Sequence, residues 1–383
     1  MLGLLFWACA AASAAATAGL WISAAFAMGL LRRRPRPAVV LSPMTMIKPI
    51  KGSEDELDAN LESLAAADPE RRLQILIAIE SPADPAWPVA AAFAARHPGR
   101  RIELIETGPA GGRMGKTHNM IAALARAEHE RLVFSDADVQ ATPELLAETS
   151  RAFDAGFEAV FALPLHRRTP GLGGLLFEGA MNHSYLPAAA LAWRLGILRP
   201  CAGAWMGFTK PALERAGGLE PLSREIAEDF ALSRRVAACG LKAALLPAVV
   251  PLRESGTSPR EALVHLAKWA SIIRWSVPWL YSAVPLATPG TTALAACALA
   301  WTLGAHQAAA AAVAAAAFGS RAIVAALQDA AFGDGLGAPW RYAALALTDV
   351  GAMAFWASGF RRRIQWRGVR YRLSHGGRAE VLS

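Results

Sequence analysis

Apolar and polar positions divide this chain into three kinds of territory. No Asp, Glu, Lys or Arg occurs from Met1 to Leu31, and none from Ser276 to Ser320. Arg32 to Trp275 mixes charged and apolar residues as one soluble-type domain. A membrane-crossing helix needs roughly 20 apolar residues, so the first block holds one crossing and the second has length for up to two. Within it, Ser276 to Gly290 carries Pro278, Pro285 and Pro289 with Trp279 and Tyr281, which suits an interfacial segment. Thr291 to Leu327 then holds one or two crossings. A third apolar block, Tyr342 to Phe360, is interrupted only by Asp349, for which pairing with Arg321 or Arg341 is expected.

Inside the soluble stretch, apolar runs predict strands at Met44–Ile50, Gln74–Ile79, Ile102–Ile105 and Leu132–Phe134. The near-continuous apolar run from Gln74 to Ile79 reads as a strand buried on both faces. Leu57, Leu61 and Leu64 mark a helix over Asp55–Ala66, and further helices are expected at Val89–Arg96 and Thr117–Ala127. Four strands alternating with helices predict an α/β fold with a mostly parallel sheet and a ligand site along its carboxyl edge.

The candidate chemistry gathers at strand ends and helix starts. Ser135-Asp136-Ala-Asp138 closes the fourth strand, and two carboxylates there suit Mg²⁺ or Mn²⁺. The simpler alternative is a polar turn leading to Thr142 as N-cap and Pro143 as first helical residue. Glu80-Ser-Pro-Ala-Asp84-Pro85 follows the second strand. The glycine-rich turn from Gly108 to Gly115-Lys116 lacks the spacing of a phosphate-binding P-loop, yet its amides can approach a diphosphate. Glu228-Asp229 opens a helix running to about Cys239, where acidic residues also complement the helix dipole. His265-x-x-Lys268-Trp269, with Arg274 and Trp275, places basic and aromatic residues at helical spacing where the soluble domain meets the apolar blocks.

Charge refines the picture. Of 383 residues 54% are hydrophobic, and the net charge of +8 sits largely in flanking arginines. Arg32, Arg33 and Arg34 follow the first block, and Arg361, Arg362, Arg363, Arg367, Arg370 and Arg372 follow the last. Positive residues stay on the cytoplasmic side, so a multi-pass protein of the inner (cell) membrane is expected, with the central domain and the C-terminus in the cytoplasm. One crossing before the domain then requires an even number after it. A secretory signal peptide is the alternative for the first block, but it lacks a basic start and its apolar core is too long. The arginines favour anionic headgroups, and nothing reads as a nucleic-acid module. Cys9, Cys201, Cys239 and Cys297 are scattered without metal-ligand spacing. The expected organisation is an anchor at 1–31, a cytosolic domain at 32–275, interfacial and membrane helices at 276–360, and a basic cytosolic tail at 361–383.

In this order the motifs resemble the family 2 glycosyltransferases of GT-A fold, and within them the ceramide glucosyltransferase branch that includes hopanoid-associated sugar transferases. The resemblance runs from about Met46 to Tyr371. It rests on Lys48-Pro49-Ile-Lys51-Gly52, Asp84-Pro85-Ala86, the degenerate Gly112-Arg-Met-Gly115-Lys116-Thr-His-Asn119, Ser135-Asp136-Ala-Asp138, Glu228-Asp229 and His265-x-x-Lys268-Trp269. It implies metal binding by Asp136 and Asp138, and donor contacts from Lys48, Asp84, Lys116, Asn119, Asp136, His265, Lys268, Trp269 and Arg274. Asp229, with Glu228, becomes the expected catalytic carboxylate, and transfer from a UDP-sugar to a membrane lipid with inversion becomes the expected reaction. Lysine at 268, where the family carries arginine, gives up the bidentate fork. A processive polysaccharide synthase and a non-catalytic membrane scaffold share the same core and stand as the alternatives.

Overall fold

The structure, a computed structural model, describes residues 1–32, 40–52, 56–197, 202–252, 258–366 and 368–382. Arg33, Arg34, Asp55, Arg199, Cys201 and Arg367 lie outside the described residues. The chain opens with α1 (Leu2–Leu31), whose 30 residues carry no charge. The four expected strands follow as β1 (Met44–Ile50), β2 (Leu73–Ile79), β3 (Arg101–Glu106) and β4 (Arg131–Ser135). They are joined by α2 (Leu57–Ala67), α3 (Ala86–Arg96) and α4 (Gly115–Leu124). Thr142 caps α5 (Pro143–Asp154), accepting the Leu145 amide at 3.1 Å.

Three further strands were not legible from the pattern: β5 (Ala159–His166), β6 (Trp205–Thr209) and β7 (Ala243–Leu252). Between β5 and β6 lie α6 (Gly171–Ala180), a π-helical turn at Met181–Tyr185 and α7 (Leu186–Arg194), while α8 (Lys210–Arg215) and α9 (Glu228–Ala238) lead to β7. The sheet order is β3-β2-β1-β4-β6-β5-β7. β6 is antiparallel to both neighbours and the other pairings are parallel, so the carboxyl ends of β1, β2 and β4 share one edge.

Alternation along the strands divides the core into two layers. Met46, Ile75, Ile77 and Val133 pack on Leu61, Phe93 and Leu145 of the helices on one face. Ile47, Leu76, Leu132 and Phe134 pack on Met120, Leu186 and Val236 on the other. Each fully buried side chain of this size contributes about 1.5–3 kcal/mol. Ala27 and Leu31 of α1 belong to the second layer, so the last turn of the apolar helix is part of the sheet's own core.

After β7 come α10 (Pro259–Ser276), the short α11 (Pro278–Ser282) and α12 (Val284–Ala287), then α13 (Pro289–Leu303) and α14 (Gln307–Phe332). Phe6 near the start of α1 packs with Ala296, Ala300 and Ala310, whereas Phe332 at the end of α14 reaches the sheet core. α13 and α14 thus form a hairpin beside α1 that returns the chain to the sheet domain. Among the described residues α1 and α14 are the two helices long and apolar enough to cross a membrane. The third apolar block is not one helix. It breaks into α15 (Pro339–Leu347), a 3₁₀ turn at Thr348–Gly351 and α16 (Ala352–Ser358).

Asp349 lies in that turn and pairs with Arg321 of α14, Nε to Oδ1 at 3.2 Å. Arg341, the other expected partner, pairs with Glu178 instead. The same Arg321 guanidinium donates to the carbonyls of Gly179 and His183, and Asp349 accepts the Gly290 amide at 3.2 Å. A π-turn displaces the i to i+4 ladder, and Arg321 satisfies the carbonyls it releases.

Residues expected as a basic tail instead fold as an antiparallel sheet of β8 (Arg363–Trp366), β9 (Val369–Leu373) and β10 (Ala379–Leu382). Its apolar face, with Trp366, Val369, Tyr371 and Leu373, packs on Met114, Ile226 and Trp275. Its edge is tied to the segment before α9, the Ile226 amide donating to Gly377 O at 3.0 Å and Ala379 to Arg224 O at 2.9 Å.

Candidate active site

The carboxyl ends of β1, β2 and β4, the N-terminus of α9 and the helix α10 border one cleft of about 2350 Å³. At its polar end a single ammonium joins two parts of the sequence. Lys116, in the first turn of α4, lies 2.6 Å from Asp136 Oδ1 and 2.7 Å from Glu228 Oε1. Asp229 sits beside it, its Oδ2 accepting the Gly203 amide at 2.8 Å and its Oδ1 the Phe230 amide at 2.7 Å. Burial alone would lower the pKa of Lys116, but Asp136, Glu228 and Asp229 outweigh it and hold the ammonium firmly charged.

Asp229 is shifted the other way. Burial, then the neighbouring Glu228, push its carboxyl up to about 7, against the pull of Lys116 and the two amides. A carboxylate balanced near neutrality is suited to taking a proton from a hydroxyl. Gly203 permits this arrangement, because a Cβ there would stand 2.8 Å from Lys116 Nζ and 3.2 Å from Asp229 Oδ2.

Asp136 and Asp138 both line the cleft where β4 ends. Among the described residues no group of three or more His, Cys, Asp or Glu side chains gathers as a metal cage. The donor set fits a hard divalent ion that takes one or two carboxylates from the protein and completes its shell with diphosphate oxygens and water. Lys48 does not reach this space. It is fully buried, and its Nζ donates to Asp136 O at 2.8 Å, so it pins the acidic turn to β1 rather than meeting a nucleotide.

The structure also places Asp84 and Arg274 outside the cleft lining. The Asp84 carboxylate accepts the Gly52 amide at 3.0 Å and the Ala86 amide at 2.9 Å, bracing the loop after β1, and Asp84 does not line the cleft. In its place Glu80 lines the cleft, 3.0 Å from Lys51. Arg274 lies over the rings of Phe360, at 5.1 Å, and Trp275, at 5.6 Å, outside the lining. Asn119 borders the cleft but is buried, its amide nitrogen 3.2 Å from the carbonyls of both Ile50 and Ala78, which locks the ends of β1 and β2 together.

His265, Lys268 and Trp269 do line the cleft from α10. His265 packs edge-on to Trp269 at 4.6 Å and to Phe177 at 5.1 Å, with His166 stacked on Phe177 at 5.3 Å. Burial pushes His166 down to about 4, so its imidazole is neutral at physiological pH. Lys268 Nζ sits 4.8 Å over the Trp366 ring, and the C-terminal sheet thereby places this ammonium. Sequence reasoning missed Gly203, His166, Phe177 and Trp366. For Trp366 a signal existed in the alternation of apolar and basic residues through β8 and β9.

Three comparisons bear on this geometry. Over 259 residues the chain is 22% identical to ceramide glucosyltransferase 1 of Caenorhabditis elegans, a match covering 67% of this chain and 55% of the relative. The chain thus spans about half the length of that curated relative. The fold is similar to that of the mannosyltransferase PcManGT from Pyrobaculum calidifontis, solved with GDP-Man and Mn²⁺. That similarity has a TM-score of 0.51 at 20% identity and covers 94% of this chain and 99% of that one, giving a GT-A-like α/β fold. The model of glycosyl transferase family 21 matches residues 4–379. With the acidic turn after β4, the acidic start of α9 and the α10 motif all meeting in one cleft, the chain belongs to glycosyl transferase family 21.

Proposed function

We propose that this protein transfers one sugar from a UDP-sugar to a hydroxyl of a membrane lipid, a ceramide-like lipid or a hopanoid polyol, by direct displacement with inversion. The observation that carries the reading is the cleft itself. Asp229, with its carboxyl near neutrality, stands at one end, and the same cleft continues to apolar residues of α1. The likeness to ceramide glucosyltransferase 1 supports a lipid acceptor, and the PcManGT likeness supports a divalent metal.

In this reading Asp136 and Asp138 would hold Mg²⁺ or Mn²⁺, which when bound supplies positive charge to the diphosphate. Lys116 adds a fixed ammonium beside that charge, and Lys268 a second cation on the opposite wall. Asp229 takes the proton of the acceptor hydroxyl as its oxygen bonds to the anomeric carbon. The bond from that carbon to the diphosphate breaks, and UDP carries the electron pair away. With one base and no nucleophilic side chain invoked, an α-linked donor gives a β-linked product.

Exposed apolar residues support a membrane setting. Trp7 and Trp301 lie at the far end of the bundle, and Trp279 and Trp340 at the end near the catalytic domain, as interfacial belts do. The catalytic domain then faces the cytoplasm of a multi-pass inner-membrane protein. The test is purified protein in detergent with Mn²⁺ or Mg²⁺, a panel of labelled UDP-sugars, and ceramide and a hopanoid polyol as separate acceptors. Label entering one lipid in β linkage is expected. Label entering a polymer, or a nucleotide sugar that binds without ever being turned over, would replace this reading with the synthase or the scaffold.

A further inference from the structure

The C-terminal sheet supplies part of the cleft wall, through Trp366, Val369, Tyr371 and Val381. It meets α10 along one helical face. Lys268, Ile272 and Trp275 stand there at i, i+4 and i+7, and the last two pack in one apolar cluster with Trp366, Val369 and Tyr371. On the same face the Lys268 ammonium lies 4.8 Å from the centre of the Trp366 ring.

The sheet is fixed to both helices that carry candidate chemistry. Trp275 Nε1 donates to Arg361 O at 3.0 Å, and the Gly376 amide donates to Trp275 O at 3.0 Å, which ties the start of β8 and the β9–β10 turn to the last turn of α10. That turn can approach because Gly377, at φ +86°, has no side chain: a Cβ there would stand 2.8 Å from Ser276 Oγ. The bonds to Arg224 and Ile226 hold the other side just before the acidic start of α9. Trp366 therefore projects from a frame anchored near Asp229 as well as near Lys268.

We infer that Trp366 is a positioning residue of the active site: its ring holds the Lys268 ammonium in place, and through it the C-terminal sheet sets how tightly the protein binds the donor's diphosphate. The inference rests on the donor reading above, in which Lys268 meets that diphosphate, and adds the residue that holds it there. Lysine is a point charge on a flexible stem and lacks the planar fork by which an arginine is oriented. An indole face is the best aromatic partner for an ammonium, and it restricts the stem without neutralising the charge as a carboxylate would.

The test uses the full chain in detergent with Mn²⁺, and reads UDP affinity and sugar transfer for Trp366→Leu, Trp366→Phe, Lys268→Met and the double variant Trp366→Leu with Lys268→Met. Trp366→Leu should weaken UDP binding and lower kcat/KM by about tenfold. Trp366→Phe, which keeps a π face, should recover most of that loss. In the Lys268→Met background the leucine change should alter either quantity by less than about twofold. A tryptophan that only packs the sheet would cost the same in both backgrounds. Equal losses in the two backgrounds, no rescue by phenylalanine, or no loss in Trp366→Leu overturns the inference. A second series leaves the packing intact: tryptophans carrying successively more fluorine, incorporated at position 366 alone, keep the shape of the ring and weaken its attraction for a cation. UDP affinity should fall in step with the fluorine count. Wild type that binds UDP together with a flat fluorine series overturns the inference alone, whereas wild type that binds no UDP overturns the donor reading and the inference with it.

Discussion

Replacing Glu228 by glutamine separates its role from that of its neighbour. The two carboxylates are adjacent in the first turn of α9, and Glu228 is the second cause, after burial, of the raised Asp229 pKa. Two unit charges about 5 Å apart in an effective dielectric of about 20 repel by roughly 3 kcal/mol. That is about two pKa units, and solvent entering the cleft reduces it to about half. Glu228→Gln removes the repulsion while its amide oxygen still accepts from Lys116, so Asp229 ionises more readily. With Asp229 as the proposed base, the acid limb of kcat/KM is expected near 7 and should move down by about one to two pH units in the variant. Activity above that limb should remain within about tenfold. The assay is sugar transfer at limiting donor from about pH 5 to about pH 9. A limb that stays in place or moves upward would refute the assignment of Asp229 as the base tuned by Glu228.

Asp229→Asn should abolish transfer yet stabilise the fold. A carboxyl raised from 3.8 to about 7 in the folded state loses stability as pH rises through that window. The asparagine variant should thus melt higher at about pH 8 and show no gain near pH 4. The shift corresponds to at most roughly 4 kcal/mol, before the lost contact to Lys116 is subtracted. Gly203→Ala should cost about 100-fold in kcat with an unchanged circular dichroism spectrum, since its methyl group displaces Lys116 and Asp229 together. Arg321→Met should destabilise by roughly 3–5 kcal/mol, leaving the buried Asp349 carboxylate without its cation and the His183 carbonyl without the guanidinium. The double change with Asp349→Leu should recover part of that loss in a denaturation assay.

What the sequence disclosed, and what it hid, follows from how each residue is constrained. β1 to β4 were legible because each is a short apolar run ended by a polar turn, and of the acidic residues at those ends Glu80, Asp136 and Asp138 border the cleft. β5 and β7 escaped because Pro164, Pro247 and Pro251 interrupt them, which β7 tolerates as an edge strand. β6 carries Gly207 in its centre, where a Cβ would stand 2.4 Å from Val160 Cγ2, so close packing hides a strand behind a residue of low strand propensity. The C-terminal sheet reads as a basic tail because Arg363, Arg370 and Arg372 occupy its outer face, while Trp366, Tyr371 and Leu373 are turned inward. Lys48 and Arg274 show a different limit. Motif spacing places their backbone, but the direction of a long cationic side chain depends on partners elsewhere, Asp136 O for one and the Phe360 ring for the other. Asp229 was legible in identity from its motif. Its environment was not, because the Gly203 amide and the Lys116 ammonium reach it from distant parts of the chain.

The most direct measurement of the central claim compares wild type with Asp229→Asn in one assay of label passing from a UDP-sugar to a lipid acceptor, with donor binding measured in parallel. Transfer by wild type, none by the variant, and donor affinity preserved in both are expected. A variant that transfers at the wild-type rate would contradict that claim.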